Sequence, residues 1–223
     1  MKKTIISCVL FLTAVTAFSQ TPMKTAAEAK LSASDLAVKI ADRILATTTY
    51  EFKNTKTGKT YKSVKNLPLD MNVKVACKYN NWHYTNGVTH IALMELADKT
   101  GAKKYDDYVL KNMNFVFNEG NLDFFKKQYE QAMKNEGWYG VRKLSWHMIF
   151  RGKRLDDNGP MGASLIDLQM KHPNNSFLNY INETAEHLNY GEPRLADGTI
   201  ARIWPHENTC LLYTSPSPRD RQK

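Results

Sequence analysis

A chain of 223 residues that is 42% hydrophobic and 11% aromatic has enough apolar side chain to bury a core, which excludes a disordered or low-complexity polymer. The net charge of +9 drops to about +5 when five cations and one acid at the ends (Lys2, Lys3, Arg219, Arg221, Lys223 and Asp220) are set aside, an excess that suits an acidic ligand or an ordinary mixed-charge surface. No Lys/Arg cluster is interleaved with aromatics, which argues against nucleic acid, and Cys77 and Cys210 alone cannot build a disulfide framework.

The first stretch, MKKTIISCVLFLTAVTAFSQ, joins a charged start to an apolar run from Ile5 to Phe18, then to Ala17 and Ser19 in the arrangement that signal peptidases cut. Residues 1–19 are therefore expected to be a cleaved signal peptide, and the protein periplasmic or secreted. No other segment approaches 18 consecutive apolar residues, so no membrane anchor is expected. Ser32-Ala33-Ser34-Asp35 forms a capping box, and Ala37, Ile40, Ala41, Ile44 and Leu45 keep to one helical face, predicting a helix from about 34 to 47. Residues 51–81 lose that period and read as a long connection with room for a short hairpin.

Val88, Ile91, Ala92 and Leu96 recur at helical spacing, as do Tyr105, Tyr108, Val109, Met113 and Val116 beyond the turn at Thr100-Gly101. An offset of about 72 residues brings this hairpin into register with a second one. Asn86-Gly87 falls on Asn158-Gly159, Leu93 on Leu165, Leu96 on Leu168, Tyr105 on Phe177 and Tyr108 on Tyr180. Each predicted hairpin is entered at Asn-Gly and turns at a polar link, in the second case His172-Pro173-Asn174-Asn175. Repeats this long suit large αα units rather than 34-residue ones. Between them, residues 119–134 predict a further amphipathic helix, and residues 137–154 read as an aromatic and basic loop lining a site.

Three clusters offer chemistry. Asp156 and Asp157 stand before a helix whose first turn is built of small residues, where acids either cap the helix or react. Arg194, Asp197, Arg202, Trp204 and His206 lie beyond the second hairpin, where a loop can return to the same rim. Trp82, Tyr84 and Asn86 precede the equivalent helix, and the two rings are either sugar platforms or core. No nucleophile elbow, paired-cysteine or HExxH pattern is present, so neither metal nor cofactor is expected and carboxylate chemistry remains.

These residues resemble glycoside hydrolase family 105 and the related family 88, the unsaturated rhamnogalacturonyl and glucuronyl hydrolases. The resemblance spans about Ser34 to Thr209, through W-x-Y-x-N-G at 82–87, T-G-x-x-K-Y at 100–105, L-D-D-x-G-x-M-G at 155–162 and R-L-x-D-G-T at 194–199. It implies an all-α fold, an (α/α)6 barrel of six hairpins, present here in its N-terminal part over residues 20–209. It also implies removal of a terminal 4,5-unsaturated uronic acid from pectin-derived (rhamnogalacturonan) oligosaccharides by hydration of a vinyl ether, using two acids. One matches Asp157, with Asp156 its open alternative, and Arg202 and His206 match substrate-facing positions. The principal acid is expected in a W-x-D-D block after Thr209, where this chain instead carries the Pro/Ser/Arg stretch 210–223, read as a non-native tail. The chain as written is therefore expected to be inactive. Other readings are a non-catalytic helical-repeat module that binds glycans or proteins, and an (α/α)6 enzyme that pairs its carboxylates differently.

Overall fold

The computed structural model describes residues 32–117, 120–151, 155–202 and 209–210, with the backbone alone at 155–157, 201–202 and 209–210. The chain divides into two units, Met1–Ile40 and Ala41–Lys223. In the first, Ser32 and Asp35 form the expected capping box. The Asp35 amide donates to Ser32 Oγ at 3.1 Å and the Ser32 amide to Asp35 Oδ2 at 3.3 Å, starting helix α1 (Ala33–Thr47).

In the second unit the stretch read as a connection carries a three-stranded antiparallel sheet of order β2-β1-β3, from Phe52–Asn54, Thr60–Tyr61 and Val73–Val75. Asn54 Oδ1 accepts from the amides of Lys56 and Thr57 and closes the β1–β2 turn. Phe52 opposes Val75 in register and buries its ring among Phe115, Phe124 and Phe125. Such short strands leave no readable alternation, which is why the sequence showed only a loop.

Helices α2 (Tyr84–Thr100) and α3 (Lys104–Phe117) form the first predicted hairpin. Gly101 adopts the left-handed conformation, φ 69°, that ends α2. Helices α5 (Leu155–Lys171) and α6 (Asn175–Glu186) form the second, with Asn174 capping α6 by accepting from the Ser176 amide at 2.9 Å. Both hairpins start before Asn-Gly rather than at it, so the pair sits inside each first helix. The hydrophobic core takes in Leu93, Tyr105 and Val109 of one hairpin and Leu165, Leu168 and Phe177 of the other.

The Trp82 indole at the start of α2 bonds Asn158 near the start of α5, and Asp98 near the end of α2 bonds Lys171 at the end of α5, at 2.7 Å. Equivalent helices of successive hairpins therefore lie side by side and parallel. An up-and-down bundle with short links pairs neighbours antiparallel, whereas stacked αα repeats align like helices in this way. The approach is close: a Cβ on Gly87 would lie 2.4 Å from the Pro160 carbonyl carbon. The fold is all-α at the level of helical hairpins.

Between the hairpins α4 (Asn121–Val141) runs past the predicted helix, with Gly137 held at φ 58° where its path kinks. Gln128 on α4 donates to the carbonyls of Asp70 and Val73, at 2.7 and 2.6 Å, and so fastens α4 to the sheet. Among the described residues no helix is long and apolar enough to cross a membrane.

Candidate active site

The acidic pair 156–157 falls in the first turn of α5, where unbonded N–H groups and the helix dipole favour an anion. The side chains of both acids lie outside the described residues. Pro160, inside the same helix, lacks the N–H that would bond the Asp156 carbonyl, so that intrahelical bond is missing from the start of α5.

Asn158 and Gly159 border a cavity of about 420 Å³, within the ~300–1,000 Å³ usual for small-ligand sites. Helix α4 contributes Lys126, Tyr129 and Glu130 to its wall, and the 3₁₀ turn His147–Phe150 contributes Ile149 and Phe150. Tyr180, Glu183 and Thr184 come from α6. The wall is completed by His187 and Leu188, in the π-helical turn His187–Gly191, and by Glu192 just beyond it. His187 Nε2 lies 3.1 Å from Glu192 Oε1, so this imidazole and the buried Glu192 carboxylate hold each other. Lys126 has no ion-pair partner among the described residues and supplies the cavity's free positive charge. Burial raises the Tyr180 phenol above its ordinary pKa, keeping it neutral. Three carboxylates, one lysine and aromatic rings on one apolar floor make a site that could hold a polyhydroxylated, charged ring.

The predicted residues are not all gathered at this wall. Trp82 is fully buried, 5.0 Å from the Tyr180 ring and edge-on to it, and Nε1 donates to Asn158 Oδ1 at 2.9 Å. It has no face open to a sugar, because the second hairpin packs over it. Asn86 is also buried, with Nδ2 donating to the carbonyls of Lys78 and Asn81 at 3.0 and 2.8 Å, a clasp on the loop ahead of α2. Tyr84 remains open, its ring 4.6 Å from that of His83. Arg202 lies in a two-residue strand, Ala201–Arg202, paired to Thr209–Cys210, and its side chain is outside the described residues, as is His206 altogether.

The R-L-x-D-G-T motif is a tight turn. Arg194 donates to the carbonyls of Gly198 and Leu188, Gly198 takes φ 84°, and the Thr199 amide donates to Asp197 Oδ1. That bond holds the Asp197 pKa below the usual carboxylate range. The turn fastens residue 194 to Leu188 in the π-helical turn, and Glu192 on the cavity wall lies between the two. Part of the aromatic and basic stretch after Gly137 does reach the cavity, through Ile149 and Phe150, but Trp146 is buried, and Arg151 lies 4.0 Å over the Trp138 ring. Among the described residues no three His, Cys, Asp or Glu side chains converge as metal ligands.

Lys126, Glu130, His187 and Glu192 escaped the sequence reading. The first two sat in a helix read only for its amphipathic face. The other pair is brought together by a π turn, which follows from backbone geometry and not from any side-chain pattern.

Residues 54–212 match the model of Glycosyl Hydrolase Family 88. No individually curated protein matches the chain.

Proposed function

The chain belongs to glycoside hydrolase family 88, and from that membership we propose that the intact protein removes the terminal 4,5-unsaturated uronic acid from pectin-derived oligosaccharides. The observation that carries the reading is the cavity beginning one residue after Asp157, with a free lysine on its wall and an acid pair at its helix entrance. A uronide brings a carboxylate for Lys126 and a ring for the apolar floor. One acid protonates C4 of the C4=C5 bond. As carboxylate it then activates the water that adds at C5, after which the hemiketal opens and releases the aglycone. Asp157, or its neighbour Asp156, is the second acid that holds the ring and tunes the donor. A position in the first turn of a helix favours the ionised form that this role needs. We assign the proton donor to a W-x-D-D block beyond Thr209 in the intact protein, and take that protein as secreted.

The test is to re-read the gene past the Thr209 codon, express the completed protein and follow the ultraviolet absorbance of an unsaturated digalacturonide. Loss of absorbance is expected, slowed at least about 10²-fold by Asp157→Asn. An unslowed variant removes Asp157 from the chemistry. A completed protein that cleaves only saturated glycosides points to a different hydrolase, and one that binds sugar without cleaving it points to a binding module.

A further inference from the structure

Asn86 and Asn158 hold the same place in the two hairpins, yet their amides are used differently. Asn86 spends its Nδ2 on two backbone carbonyls, whereas Asn158 Nδ2 meets no acceptor among the described residues. The orientation of the Asn158 amide is set chemically. An indole N–H can only donate, so the 2.9 Å bond from Trp82 requires the oxygen to face Trp82 and turns the NH2 group away from it. Asn158 is 94% buried by its 6% exposure, and it lines the cavity beside Gly159. The NH2 group is not among the fully buried atoms left without a partner, so it keeps access to the cavity, where a ligand acceptor can take the place of water.

We propose that Asn158 is a ligand-binding residue of the cavity, donating its Nδ2–H to a sugar oxygen, and that Trp82 is its positioning residue. This rests on the uronide reading above for the identity of the sugar. Trp82 thereby acts on recognition from inside the core, by fixing which end of a neighbouring amide the ligand meets. Lys126 of α4, on the same cavity's lining, adds a charge for an acidic sugar, so the pair of donors selects a hydroxylated anion over a neutral one.

The experiment is calorimetric titration of the 223-residue chain with an unsaturated digalacturonide and with saturated galacturonate, repeated on Asn158→Ala, Asn158→Asp, Trp82→Phe and the double variant Trp82→Phe/Asn158→Ala. Asn158→Asp keeps the acceptor for Trp82 but has no NH2, so it separates donation from folding, and the urea midpoint of each variant is recorded alongside. Either Asn158 variant should weaken binding by roughly 10-fold, the scale of one lost hydrogen bond. Trp82→Phe keeps an aromatic ring at that place but loses the pyrrole ring and its N–H. It should weaken binding several-fold alone, and add nothing once Asn158 is alanine. Unchanged binding in both Asn158 variants overturns the proposal and leaves the uronide reading standing, as does additivity of the two changes for the role of Trp82. Binding of the saturated sugar alone, with the same loss in the Asn158 variants, supports Asn158 and overturns the unsaturated substrate. Failure of the chain to bind either sugar overturns the Asn158 proposal and leaves the uronide reading to the absorbance test on the completed protein.

Discussion

Met94 on α2 and Ile166 on α5 occupy the same position of the repeat, yet the first is 3% exposed and the second 47%. Asp98 and Met170 diverge the other way in chemistry: the first hairpin has a charge there, and the second an apolar side chain left 72% exposed. Residues that face inward within each hairpin, such as Leu93 and Leu165, are buried in both. The difference lies in neighbours. Helix α5 packs along α2, whereas among the described residues nothing stands to α5 as α5 stands to α2. An apolar residue at a repeat position therefore marks a contact surface, and its burial depends on whether the next layer is there.

The sharpest way to break this comparison is at the glycine of closest approach. Gly87→Ala places a methyl 2.4 Å from the Pro160 backbone, where no flexible side chain can give way, and should cost about 3 kcal/mol or more by urea denaturation. At Gly162 the nearest group is the Thr184 methyl at 3.7 Å, so Gly162→Ala should be neutral or stabilise by up to ~1 kcal/mol. A tolerated Gly87→Ala would disprove the parallel packing of α2 on α5. Next comes the equivalent pair: Met94→Ala should lose about 2–5 kcal/mol and Ile166→Ala about 0.5 kcal/mol or less. Equal costs would mean that α5's open face is covered in solution.

His90 sharpens the contrast through pH, because the equivalent residue of α5 is Gly162. The His90 ring is buried near Tyr108, neither nitrogen has a partner among the described residues, and burial lowers its pKa to about 4. Below the ordinary value near 6.5 the unfolded chain takes up a proton that the folded site refuses until about pH 4. Stability should therefore fall as pH drops through that window, by up to about 3 kcal/mol, and be untouched by this group above it. His90→Leu should flatten that part of the denaturation profile. An unchanged acid slope would place the proton uptake elsewhere.

Much of the architecture could be read from spacing because it is local. The Ser32–Asp35 capping box, the Gly101 stop and the apolar faces of both hairpins each depend on residues within a few positions of one another. The sheet was missed because strands of two or three residues have no period to detect. Trp82 was legible as important but not as buried, since its surroundings come from Tyr180 on another hairpin and its bond from Asn158. The end of α4 was misplaced because Gly137 signals a break while the helix resumes beyond the kink. Of the candidate site, the acid pair at the start of α5 came from the motif. The facing wall came only from folding, which sets Lys126 and His187 around the same space.

The single amide nitrogen of Gln128, shared between the carbonyls of Val73 in β3 and of Asp70 just before it, carries a consequence for the order of folding. It closes a loop of 55 residues to Val73, far longer than any closure within a hairpin, and the chain entropy of that closure is offset only once both ends are already shaped. Hairpin α2–α3 lies inside that loop and can form first, shortening the distance that α4 must search. The fastening of α4 to the sheet is then a late event on the folding route, so one wall of the cavity takes its place only after the hairpin it encloses has formed.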